Sequence, residues 1–225
     1  MKKTFSFFLA LLMILSIVPA GTVISSAENQ TIPDGYIPIY DIEGLVAINN
    51  DLTANYILMA DIDMTDDVAP GGKWDCGYGW LPIGSSSSDS FSGIFDGNGH
   101  TIKGMRIENS TDSYIGLFGC IDDATVKNLR MENPEITGTK VQYAGAITGS
   151  MLNSDIENIA VDNLSFNCKN DYTNINCINR YYGGIVGYSE GTCTINSCYT
   201  SGTMIIDDAA YYCYIVDTFV RLQEK

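Results

Sequence analysis

Three acidic pairs come nearest to catalytic chemistry in type and spacing: Asp66-Asp67, Asp122-Asp123 and Asp207-Asp208. Glycoside hydrolysis needs two carboxylates facing one cleft. Neighbouring side chains on a strand point to opposite faces, so each pair reads as a polar turn. A lyase acting on uronic acids needs an acidic calcium site and a base that takes the proton. Arg106, Arg130, Arg180 and Arg221 are the arginines of the chain, and none belongs to a recognisable motif. With His100 as the single histidine, H-E-x-x-H metalloprotease chemistry is excluded. His100 follows Asp96-Gly97-Asn98-Gly99, a turn sequence without the lysine or helix of a phosphate-cradling loop. No catalytic residue is assigned. A polysaccharide lyase or glycoside hydrolase stands as the alternative to a non-catalytic protein.

Binding is the better-supported role. Two clusters carry aromatic rings suited to stacking on sugars. The first is the loop Gly71 to Ser88, with Trp74, Tyr78 and Trp80; its rings serve equally well to cover the end of a fold. The second is an insertion carrying Tyr172, Arg180, Tyr181 and Tyr182. The seven cysteines (76, 120, 168, 177, 193, 198, 213) contain no C-x-x-C, which speaks against zinc. Cys168 and Cys177 are able to close one loop in an oxidising compartment, and the odd count leaves at least one thiol unpaired. No cofactor is expected, the acidic surface being suited at most to loosely held calcium.

The elements that must position these residues follow from a repeat. Glycine phrases occur at Gly116-Leu117-Phe118-Gly119, Gly145-Ala146-Ile147-Thr148-Gly149 and Gly183-Gly184-Ile185-Val186-Gly187. Each is followed by an aliphatic run: Val126-Lys127-Asn128-Leu129, Ile156-Glu157-Asn158-Ile159, then Ile195-Asn196-Ser197-Cys198. Ile136, Phe166 and Ile205 stand seven positions beyond. A repeat of this length, about 30 residues, signals stacked units that bury a face only against their neighbours. It predicts Leu117, Ile147 and Ile185 in one column. Asn128 and Asn158 fall where the apolar alternation slips, at corners that tolerate left-handed geometry. Ile102 to Ile107 matches Val126 to Met131 position by position, which sets Ile102 against Val126. A damaged fourth unit, Tyr212 to Asp217, lies one repeat period beyond Tyr182 to Gly187, which sets Tyr212 against Tyr182.

Upstream, Asp41 is placed to cap a short helix through about Asn50, and Tyr56 to Met64 reads as a strand. Asp96 to Gly99 is a tight turn between two more strands. Residues 1–27 read as an export signal: Lys2 and Lys3, then the apolar stretch Phe5 to Val18, then Ser25-Ser26-Ala27. That stretch is shorter than the roughly 20 residues that span a bilayer. Removing two lysines and no acids takes the formal charge from −15 to −17. Such a surface repels nucleic acid and anionic lipid.

These phrases resemble the GLUG-motif repeats of bacterial exported and surface proteins. So do Asn55 to Met64, Trp80-Leu81-Pro82-Ile83-Gly84 and Phe91 to Ile102, and the resemblance runs over about residues 40–217. It implies an all-β, right-handed parallel β-helix like that of pectin lyases, with a short N-terminal capping helix. The expected layout is a signal at 1–27, a lead-in and cap at 28–55, the β-helix at 56–217 and a tail at 218–225. That tail either follows an atypical closing unit or belongs to a longer protein. The implied role is a secreted or cell-surface module with glycans or host and cell-surface proteins as partners, without nucleic acid and without a membrane span in the mature chain.

Overall fold

The computed structural model describes residues 31–108, 113–138, 141–169, 180–207, 213–215 and 221–222. The export segment, Tyr172, Cys177 and Asp208 lie outside them. Nineteen strands form three sheets of twelve, four and three strands among the described residues, and every strand pairing is parallel. No described helix is long and apolar enough to cross a membrane.

Asp41 caps the helix Ile42–Ala47 as its residue type predicts, accepting the Gly44 N–H at 2.9 Å. A 3₁₀ turn, Ile48–Asn50, continues it, and Ile42, Leu45 and Ile48 are buried. The lead-in contains a strand, Tyr36–Ile39, paired with Asn55–Leu58. The single strand expected over 56–64 is divided into Asn55–Leu58 and Ile62–Asp63. At this break Leu58 O accepts from Asn98 Nδ2 (3.1 Å) and Asp61 Oδ1 from Thr101 N (2.8 Å). The polar groups of the corner are thus satisfied by the next turn of chain.

The order in which the chain visits the sheets repeats. Tyr114–Ile115 joins the four-stranded sheet, Phe118–Asp122 the three-stranded one and Thr125–Glu132 the twelve-stranded one. Tyr143–Ala144, Thr148–Leu152 and Asp155–Lys169 repeat this order, then Arg180–Tyr182, Val186–Glu190 and Tyr199–Asp207. Register sets Phe95, Val126, Ile156 and Ile195 side by side, and likewise Ile102, Met131 and Val161. Leu117, Ile147 and Ile185 share one buried column as well: Leu117 N bonds Ala146 O and Ile147 N bonds Ile185 O, both at 3.0 Å. Full burial of one aliphatic side chain stabilises by about 1.5–3 kcal/mol, so such columns dominate the stability of the fold.

Two residue types recur along the repeat, for different reasons. Asn128 and Asn158 adopt φ of 54° and 52°. Their amides form a ladder, Asn158 Nδ2 donating to Asn128 Oδ1 (2.9 Å) and Asn128 Nδ2 to Asp96 Oδ1 (3.0 Å). The glycines of the repeat phrase answer instead to close approach. A Cβ on Gly116 would lie 2.5 Å from Gly145 O, and one on Gly145 would lie 2.5 Å from Ile185 O.

Three expected registers are corrected, and one expected turn is found. Ile102 pairs with Met131 and Ile107 with Ile136, while Phe95 takes the place beside Val126 that similarity gave to Ile102. Asp96 and Thr101 bracket two residues more than Lys127 and Arg130 do, which misleads a reading by similarity. Asp96 to Gly99 does turn, with Asn98 at φ 52°. As expected, it lies between two strands, Ile94–Asp96 and Thr101–Lys103, which pair with their neighbours in parallel. Met204, not Ile205, continues the column of Ile136 and Phe166, because the last strand is one residue shorter where Gly202 passes Leu164. The fourth unit is offset too: Ile215, rather than Tyr212, stands beside Tyr182, and Tyr214 stands beside Tyr181.

Candidate functional site

Tyr114, Tyr143 and Tyr181 occupy one register position on successive strands of the four-stranded sheet. Their rings stack at 4.8 Å and 5.3 Å between centroids, tilted by only 10° and 11°. Strand spacing of about 4.8 Å makes this near-parallel stacking a direct result of in-register parallel pairing. Tyr188, from the strand Val186–Glu190, leans against Tyr143 and Tyr181 at 48° and 58°. The Tyr143 phenol is held above its ordinary pKa by burial first, then by the neighbouring tyrosines and Glu190. Tyr188 is raised in the same way, through desolvation and then the Glu190 carboxylate to which its hydroxyl donates at 3.3 Å.

Beside this column lies a cleft of about 190 Å³. Tyr114, Tyr143 and Tyr188 form one wall, Met151 and Leu152 supply apolar surface, and Ser87, Ser90 and Ser150 bring hydroxyls. Asp122 and Glu190 line it too. The stacked rings cover each other's faces, so a ligand meets the column through ring edges and phenol oxygens. Apolar walls with a few placed polar groups are the usual makeup of a ligand cleft.

The sequence-predicted residues divide. Tyr181 belongs to the column and Arg180 precedes it on the same strand. Tyr182 faces the opposite way, is 1% exposed and donates its hydroxyl to Val141 O at 3.1 Å; no ligand can stack on it without unfolding the strand. Tyr172 lies outside the described residues. Tyr114, Tyr143 and Tyr188 were missed, although a tyrosine stands two positions before the first glycine of each phrase: Tyr114 before Gly116, Tyr143 before Gly145, Tyr181 before Gly183.

The tryptophan loop is built differently. Trp80 is buried and its Nε1 donates to Leu117 O at 3.1 Å, riveting the loop to the next unit. Asp75 organises the turn by accepting the N–H groups of Gly71, Gly77 and Gly79 at 2.8–2.9 Å. Those bonds hold its carboxyl below the usual range. Lys73 pairs with Glu43 of the capping helix and sits 5.1 Å above the Trp74 ring. A second cleft, of about 210 Å³, lies between this loop and the helix, with Val46, Trp74 and Leu81 in its lining. Trp74 Nε1 is buried without a hydrogen-bond partner among the described residues. Tyr78 is 44% exposed and stands outside that lining.

Of the acidic pairs, Asp122 enters the tyrosine cleft whereas Asp123 makes a corner at φ 53°. Asp66 and Asp67 lie in a turn. His100 Nδ1 is 3.2 Å from Asp61 Oδ1, a carboxylate open to solvent. Among the described residues no group of three or more His, Cys, Asp or Glu side chains could hold a metal ion. Cys168 is buried, and Cys177, the partner considered from spacing, lies outside the described residues.

No model of a known protein family matches the chain. It is 29% identical over 194 residues to Halomucin of Haloquadratum walsbyi, covering 83% of this chain and 2% of that protein. It is 36% identical over 112 residues to a protein of Evansella cellulosilytica named as a Gly-rich membrane protein, covering 48% of this chain and 12% of that one. The chain thus spans a small fraction of the length of either relative. A solved structure from Bacteroides ovatus, titled as an immunoglobulin A1 protease, aligns over 84% of this chain and 77% of its own, at 16% identity and a TM-score of 0.39. A likeness that low carries no argument.

Proposed function

We propose that this chain is an exported, non-catalytic module of a bacterial cell surface, a right-handed parallel β-helix of GLUG-type repeats that holds glycan chains along its tyrosine column. Three features support the reading: the export-like leader, the regular visit to three parallel sheets, and relatives of much greater length, one of them named as a membrane protein. The observation that carries it is the set of tyrosines repeated at one register position beside a cleft. A regular polymer is the partner that matches a regular ladder. The formal charge of −15 makes polyuronates poor candidates.

Residues 28–225 are to be screened on a glycan array, followed by titration calorimetry with the best oligosaccharide. Binding that falls about tenfold in Tyr143→Ala, roughly the worth of one lost aromatic contact, supports the proposal. Absence of binding to every glycan and cell surface tested leaves only a spacer role. Incubation with acidic polysaccharides and calcium, read by unsaturated products and new reducing ends, tests the non-catalytic part; turnover overturns it.

A further inference from the structure

We infer that the tyrosine cleft selects glycans bearing free amino groups, an amino-sugar polymer rather than a neutral or acidic one. This rests on the glycan-binding reading above and names the ligand class within it. Asp122 and Glu190 both line the cleft and are matched to Leu152, one from each side, in the register of three adjacent strands. They are therefore roughly 10 Å apart at the backbone, twice the strand spacing of about 4.8 Å. That is comparable to one disaccharide of a β-1,4-linked chain, so alternate amino groups on one side of the polymer reach both carboxylates.

The charges of the cleft are unanswered. No lysine, arginine or histidine lines it, and neither Asp122 nor Glu190 has an ion-pair partner among the described residues. One carboxylate oxygen, Asp122 Oδ1, is buried with no hydrogen-bond partner among them. A desolvated acceptor without a donor is unfavourable, so the charge of Asp122 is not compensated from within the fold, and an ammonium group in the cleft supplies the opposite charge. Tyr188 orients the other acid through its hydroxyl. Ser87 and Ser90 offer groups that suit sugar hydroxyls, which favours a glycan over a lysine-rich peptide of the same charge.

The test is calorimetric titration of residues 28–225 with a β-1,4-linked glucosamine hexamer, its fully N-acetylated counterpart and a lysine-containing peptide of equal charge. The glucosamine hexamer is expected to bind about tenfold tighter than the N-acetylated one, and to weaken as salt screens the pairing. Asp122→Asn and Glu190→Gln should each remove a several-fold share of that preference, read as the ratio of the two hexamers' affinities. Their unaltered melting temperatures would exclude misfolding. Equal affinity for the two hexamers, or variants without effect, overturns the selectivity and leaves the glycan reading standing. Failure of both hexamers to bind overturns the amino-sugar assignment, and the glycan reading falls only if the array too shows no binding. A peptide that binds as well as the glucosamine hexamer overturns the assignment to a glycan.

Discussion

The tryptophan loop and the tyrosine column are both aromatic and both lie beside a cleft, yet their side chains are committed in opposite directions. Trp80 turns inward, donates to Leu117 O and is buried to 2% exposure. Asp75 commits its carboxylate to three backbone N–H groups of its own loop, and Lys73 is held by Glu43. In the column, Tyr143 stacks between Tyr114 and Tyr181, Tyr114 and Tyr143 line the cleft with Tyr188, and the nearby acids Asp122 and Glu190 lack basic partners among the described residues. Aromatic content therefore does not distinguish packing from recognition. What distinguishes them is whether the charged groups around the rings already have partners.

The largest effect should come from the loop. Trp80→Ala removes a buried ring and its hydrogen bond to the next unit, at about 3–5 kcal/mol of stability, read by urea unfolding. A loss near that of a surface residue would show the loop to be an appendage. Next, Gly145→Ala tests the backbone that carries the column, since the added methyl meets Ile185 O. Overpacking of this kind costs about 1–3 kcal/mol and should displace Tyr143, seen as lost ellipticity in the near ultraviolet. Tyr143→Ala sharpens the contrast: two stacked pairs are lost, at about 0.5–1.5 kcal/mol each, and ligand affinity falls together with stability, whereas Trp80→Ala lowers stability alone.

Acid should produce the smallest effect, and chiefly on the loop-bearing side. Asp63 is held at about 2 by Lys103 and then Thr65, and Asp75 is lowered by backbone N–H groups. For a carboxyl whose folded pKa is depressed, the unfolded chain binds more protons in the window between the two values, so stability falls as pH falls. The contribution of Asp63 is full above the ordinary carboxylate range and is lost as pH drops toward about 2. Thermal melts from mildly acidic pH down to that value should show a shallower decline for Asp63→Asn than for the parent protein. Equal slopes would remove Asp63 from the account.

Much of the architecture was legible in the residues. Asp41 capped its helix, Asn128 and Asn158 took left-handed corners, and Leu117, Ile147 and Ile185 aligned, because each depends on local geometry or a fixed repeat length. The match of Ile102 to Val126 failed because similar apolar patterns occur twice within one unit, at different places along the sheet. The site was less legible. Tyr182 looked as available as Tyr181, and only strand pairing separates the buried ring from the stacked one.

Sequence by itself determined the repeat, the apolar columns and the residues at the corners, since period, side-chain volume and permitted φ are properties of a few neighbouring positions. Tertiary structure alone decided that Tyr114, Tyr143 and Tyr181 form one stack and that Asp122 and Glu190 share a cleft. Those groupings join residues dozens of positions apart, and their distances are set by strand register, which a single inserted or deleted residue shifts.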